Sequence, residues 1–135
     1  MKPYPYQLEG IDFLRSHSRA YLADEMGLGK TVQSLVAVAD EDRVLVIAPA
    51  AALGNWRKEI VTWGNGQHFD VMSYADRRLR DGDVDGSTYG AVILDEAHPV
   101  RVRRREGVAP CHPAVWYAHA EQRHGAVDDV RRTVA

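Results

Sequence analysis

Ala20-Tyr21-Leu22-Ala23-Asp24-Glu25-Met26-Gly27-Leu28-Gly29-Lys30-Thr31 passes from a short apolar run, through a glycine loop, into a helical pattern. Val32, Leu35, Val36 and Ala39 mark one face of that helix. The order is strand, loop, helix, and the loop has the makings of a phosphate cradle. Glycines let backbone N–H groups turn inward around phosphate oxygens, and the helix N-terminus adds positive potential. Lys30 is spaced to reach the β- and γ-phosphates, and Thr31 supplies a hydroxyl for Mg²⁺. The generic pattern has glycine where this chain has Asp24, so it is partly met. The plainer alternative is a glycine turn followed by a solvated lysine.

Working outward, Leu8, Ile11, Phe13 and Leu14 follow two prolines at helical spacing, which predicts an amphipathic helix over 6–17. Val44 to Ala48 is a continuous apolar run ended by Pro49, the pattern of a strand buried on both faces of a parallel sheet. Trp56, Ile60 and Trp63 lie at i, i+4 and i+7 on a further helix, where tryptophans read as core rather than as base-stacking platforms. Phe69 to Tyr74 reads as a strand, 80–90 as turn-rich, and Ala91 to Leu94 as another buried strand. Strands alternating with helices predict a parallel α/β sheet with ligands at the strand C-termini.

The last of these strands ends in Asp95-Glu96, 65 residues after Lys30. In a nucleoside triphosphatase one carboxylate at a strand end holds Mg²⁺, while its neighbour orients and deprotonates the attacking water. Asp95 and Glu96 suit those two roles. The alternative is a strand that merely meets solvent at an acidic edge.

A chain of 135 residues with 45% hydrophobic and 27% charged residues is one ordinary globular unit, neither fibrous nor wholly disordered. No apolar run reaches the roughly 18 residues of a membrane span, and the N-terminus lacks an apolar signal core. An intracellular protein without a membrane partner is the expectation. One cysteine, Cys111, excludes a disulfide framework within the chain. Asp81 to Gly86 matches half of a calcium loop, but its twelfth position is Val92, where a glutamate is required. Cys111, His112, His119 and His124 fit no common zinc spacing.

Composition changes near Pro99. Residues 1–98 hold 10 Lys and Arg against 15 Asp and Glu, whereas 99–135 hold 7 Arg against 4 acids. The first part has 13 Leu and Ile and the last 37 residues have none. The boundary therefore separates 1–98 from a tail, 99–135, that reads as irregular and as leaving one sheet edge open.

Tyr6-Gln7-Leu8-Glu9-Gly10, the glycine loop with its Asp24, and Ala48 to Ile60 with Gly54-Asn55-Trp56-Arg57-Lys58-Glu59 are followed by Asp70 to Tyr74 and Asp95-Glu96-Ala97-His98. In this order they resemble the SWI/SNF-type DNA translocases of helicase superfamily 2, over residues 3–98. The resemblance implies an incomplete parallel-sheet, P-loop (RecA-like) α/β lobe, with ATP and Mg²⁺ as cofactors. Gln7 would read the adenine edge, and Gly27, Gly29, Lys30 and Thr31 would hold phosphate. Thr31 and Asp95 would hold Mg²⁺, Glu96 would be the catalytic base with Lys30 and Asp95 beside it, and His98 would couple nucleotide state to DNA. Arg57 and Lys58 would touch the backbone of duplex DNA; the alternative is a solvated helix face. The family adds, after this point, a Gly-Thr-Pro strand end and a second RecA-like lobe supplying arginines; neither is found here. The stretch between Trp63 and Val92, 28 residues, is also short for the family. A one-nucleotide forward shift across Trp116-Tyr117 permits Leu-Ser-Gly-Thr-Pro, so 99–135 can be read as a frameshifted continuation. The implied activity is ATP hydrolysis coupled to movement on duplex DNA, with this chain inactive alone and cytoplasmic or nucleoid-associated if prokaryotic or phage. The competing reading is a short, non-enzymatic nucleotide- or DNA-binding module acting through a partner.

Overall fold

The structure, a computed structural model, describes residues 2–17, 19–22 and 27–96, and the backbone of 115–119. Nine elements follow in order: α1 (Pro5–Arg15), β1 (Arg19–Leu22), α2 (Lys30–Ala37), β2 (Arg43–Ala48), α3 (Leu53–Trp63), β3 (His68–Ser73), α4 (Arg77–Asp81), β4 (Ala91–Leu94) and β5 (Val115–His119). Short 3₁₀ turns occupy Ala50–Ala52 and Gly86–Thr88.

Pro5 opens α1, where a missing N–H costs nothing, and the Gln7 side chain accepts the backbone N–H of Tyr4 at 2.9 Å. The buried stripe of α1 is Gln7, Ile11 and Leu14, at i, i+4 and i+7. Leu8 and Phe13 belong to the apolar set in the sequence but stand 48% and 42% exposed. The polar Gln7 takes the inward position instead. A Cβ on Gly10 would run into the Gln33 amide of α2, so glycine lets α1 and α2 approach closely. Arg15 then closes the far end of α2 by donating to the carbonyls of Val36, at 2.9 Å, and Ala37, at 3.4 Å.

The strands form one sheet in the order β1-β5-β4-β2-β3. β2 is parallel to both β3 and β4, as the alternating pattern predicts. The apolar residues of β2 divide by parity. Val44, Val46 and Ala48 pack with Ile11, Leu14, Leu35 and Trp56 beneath α1, α2 and α3. Leu45 and Ile47 pack with Met72, Leu79, Val84, Tyr89, Val92 and Leu94 on the other face. The turn-rich segment thus does the work of a second helical layer, through α4 and the chain that follows it.

The tail differs from expectation in one respect. Val115–His119 enter the sheet as β5, antiparallel to β1 on one side and to β4 on the other. The edge of β4 expected to lie open is therefore paired. The absence of Leu and Ile concealed this strand, because Val-Trp-Tyr at 115–117 has β-branched and aromatic residues that suit a pleated surface equally well. The Pro99 boundary, Cys111, His112 and His124, and the side chain of His119, lie outside the described residues. Among the described residues no cluster of three or more His, Cys, Asp or Glu is placed to hold a metal. Among them, too, no helix is long and apolar enough to cross a membrane.

Candidate functional site

Gly27 and Gly29 have φ of +88° and +71°, the left-handed region in which a side chain is strained. Gly29 is the N-cap of α2, with no side chain capping the helix and no acid in its first turn. The start of α2 carries N–H groups without intrahelical partners and the positive end of its dipole, the setting that favours an anion. Lys30 opens this helix and Thr31 follows in the same turn.

Between the two glycines, the Leu28 carbonyl is held by two buried amides. Gln33 Nε2 donates to it at 3.1 Å and Gln7 Nε2 at 3.4 Å. Gln33 is fully buried and Gln7 nearly so. In a trans peptide the N–H points opposite to the C=O. Turning the Leu28 carbonyl toward the two glutamines therefore turns the Gly29 N–H away from them. A Cβ on Gly29 would strike the Gln7 amide, so this contact depends on glycine.

The second half of the site is the end of β4. The Asp95 N–H donates to the Ile47 carbonyl at 2.9 Å, and the Tyr74 hydroxyl donates to the Asp95 carbonyl at 2.7 Å. The Trp56 indole Nε1–H donates to Asp95 Oδ2, also at 2.7 Å. Burial, reinforced by the charges of Asp95 and Glu96, pushes the Tyr74 hydroxyl well above its usual range, so it stays a donor. Glu96 has φ +50°, rare for a residue with a side chain, and turns the chain sharply as it leaves the strand.

Strand register brings the halves together. Trp116 of β5 faces Tyr21 of β1 and Leu94 of β4, so the two strands end at one height. They are separated by one strand, about 10 Å apart at the usual interstrand spacing. The glycine loop leaves one end and Asp95-Glu96 the other, where open parallel sheets place their ligands. Arg57 and Lys58 are exposed on α3, directly after the buried Trp56. Asp24 and His98 lie outside the described residues.

The donor set suits a magnesium nucleotide: a helix start with a lysine and a threonine, and a half-buried carboxylate that has committed one oxygen to an indole. Sequence reasoning missed Gln33, Tyr74 and the polar role of Trp56. A glutamine amid the apolar positions of α2, and an indole N–H that must find an acceptor when buried, were the available signals.

Comparison with known proteins agrees with this geometry. The SNF2-related domain matches residues 6–81. The CHD3-type chromatin-remodeling factor PICKLE of Arabidopsis thaliana is 49% identical over 69 residues, covering 44% of this chain and 5% of that protein. A Caenorhabditis elegans homologue of the SWI/SNF-related matrix-associated actin-dependent regulator of chromatin subfamily A-like protein 1 is 32% identical over 123 residues, covering 73% and 18%. The chain thus spans less than a fifth of the length of these relatives. Among solved structures, the Sulfolobus solfataricus SWI2/SNF2 ATPase core in complex with dsDNA superposes with a TM-score of 0.63 at 25% identity, covering 75% of this chain and 29% of that one. With an incomplete RecA-like α/β lobe and a domain match over more than half its length, this chain belongs to the SNF2-related domain family.

Proposed function

We propose that residues 1–98 are the ATP-binding part of an SNF2-type motor that couples ATP hydrolysis to movement on duplex DNA inside the cell. One observation carries the reading: β1, which leads into the glycine loop and α2, and β4, which leads into Asp95-Glu96, end at the same end of one sheet, a single strand apart. Gly27, Gly29 and Lys30 bind the phosphates, and Gln7 reads the adenine edge from a position already bonded to the loop. Thr31 and Asp95 hold Mg²⁺, which when bound neutralises charge on the phosphoryl oxygens. Glu96 orients the attacking water and takes its proton. Arg57 and Lys58 contact the DNA backbone, and His98 relays nucleotide state to it. That the similar Sulfolobus solfataricus core is in complex with dsDNA supports a DNA partner.

The hydrolytic rate depends on a second RecA-like lobe and its arginines, a contribution of about 10³ to 10⁵ in such chemistry. Alone, this chain is expected to bind ATP and to turn it over at background rate. Equilibrium dialysis with labelled ATP tests the reading. Binding by the wild-type chain that is lost in Lys30→Ala supports it, and equal binding by the two overturns it.

The pairing of β5 favours a second reading, in which the chain is a short, non-enzymatic nucleotide- or DNA-binding module that acts through a partner. Against it, the matched domain stops at residue 81, and we keep 99–135 as an out-of-family, frameshifted tail. Resequencing the coding DNA beyond the His98 codon separates them. A shifted frame that runs through Gly-Thr-Pro into a second lobe supports the motor, and stops in that frame support the module.

A further inference from the structure

Trp56 is 1% exposed and packs in the core beneath α3, yet its one polar atom reaches across 39 residues of sequence to Asp95 Oδ2 at 2.7 Å. That distance is at the short end for an N–H bonded to a carboxylate, the length of a charge-assisted bond. The rest of Asp95 is held just as firmly. Its N–H is bonded to β2 through Ile47, and its carbonyl to the Tyr74 hydroxyl beyond β3. α3, β2 and the residue after β3 therefore converge on Asp95, and among the described residues only Trp56 bonds to the carboxylate itself. A phenylalanine there would keep an aromatic ring in the core but bring no N–H to Asp95, so the bond is particular to the indole.

We infer that Trp56 is a positioning residue for the metal-side carboxylate: its indole N–H fixes Asp95 Oδ2 and leaves Oδ1 for Mg²⁺. The inference rests on the reading of Asp95 given above. It adds a mechanical consequence. Trp56 is rigidly part of α3, and the next two residues, Arg57 and Lys58, are the exposed cations of that helix. A displacement of α3 by a polyanion is passed to the Asp95 carboxylate through a single hydrogen bond, with no intervening loop.

The test uses the full chain and a fluorescent ATP analogue, titrated with and without Mg²⁺. Trp56→Phe keeps an aromatic ring at the position and removes the N–H. Removing an outer partner of a metal ligand costs about tenfold or more in metal affinity. The expected result is nucleotide affinity without Mg²⁺ within twofold of wild type, and a gain on adding Mg²⁺ smaller by about tenfold. An unchanged Mg²⁺ gain overturns the inference and makes Trp56 a packing residue only. Absence of any Mg²⁺-dependent binding in the wild-type chain overturns the ATP reading and the inference with it. Should Trp56→Phe fail to fold, the indole N–H resonances of the wild-type chain decide. A shift of the Trp56 resonance, larger than those of Trp63 and Trp116, when Mg²⁺ joins bound nucleotide supports the inference, and no shift overturns it.

Discussion

Two glycines of one loop have nearly the same backbone but different surroundings, and this separates backbone strain from contact. Gly27 and Gly29 both have positive φ, yet a Cβ on Gly27 would meet nothing within 4 Å, whereas one on Gly29 would meet the Gln7 amide. Gly27→Ala carries only the left-handed penalty, about 1–2 kcal/mol. Gly29→Ala carries that penalty and also displaces Gln7 from the Leu28 carbonyl. Thermal melts should therefore rank wild type above Gly27→Ala, and Gly27→Ala above Gly29→Ala; equal losses in the two variants would remove Gln7 from the loop's support. At this scale the sequence marks its candidates by residue type and spacing, as with Lys30, Thr31, Asp95 and Glu96. It was opaque where a polar side chain hides in an apolar stripe. Gln7 Nε2, Gln33 Nε2 and Trp56 Nε1 bond to partners 21, 5 and 39 residues away. Periodicity reports that such a residue is buried, not what it bonds.

The strands and helices are tied at the end of the sheet remote from the site by a second polar group. Asp70 on β3 accepts from Arg43 of β2 at 2.8 Å and from the Tyr89 hydroxyl at 2.8 Å, and the Arg43 guanidinium lies over the Tyr89 ring. Burial alone would raise the Asp70 carboxyl, but hydrogen bonds from Tyr89 and Arg43 outweigh it and hold the group below its usual range. A carboxyl depressed on folding contributes stability that is complete above its ordinary pKa, near 4, and is lost as pH falls through the lower folded value. Burial, then the bond to Asp70, pushes the Tyr89 hydroxyl up to about 12. Its share is complete below its ordinary pKa, about 10, and is lost as pH rises through the folded value. Asp70→Asn should accordingly be less stable than wild type at neutral pH, with the gap closing as pH falls below about 4. Denaturant midpoints over that range check it, and a constant gap would mean that the charge of Asp70 contributes nothing. The elements themselves were largely legible. β4 spans Ala91–Leu94 as the apolar run predicts, and β2 starts one residue earlier than its run. α4 was not, since five residues of mostly arginine carry no periodicity and hold their place through Leu79 and the Asp76 cap.

At the scale of the molecule the unexpected feature is β5. It lies between β1 and β4, so a proline within it removes an N–H from an interior strand, where sheets do not tolerate one. Tyr117 faces Ala20 on one side and Ile93 on the other. Tyr117→Pro should lower the thermal midpoint and promote aggregation through the strand edges it frees. An unaltered melt would place the tail outside the sheet. The same strand shows where composition misleads: a segment without Leu or Ile still pairs when its backbone finds two open edges and its residues are branched or aromatic.

On the proposed reading, the glycine loop and the end of β4 form one magnesium-nucleotide site. Amide hydrogen exchange of the full chain, with and without Mg²⁺ and ATP, tests it most directly. Protection arising together at 27–35 and at 92–96 is the result expected. Protection at one of these segments without the other, or at neither, would contradict it.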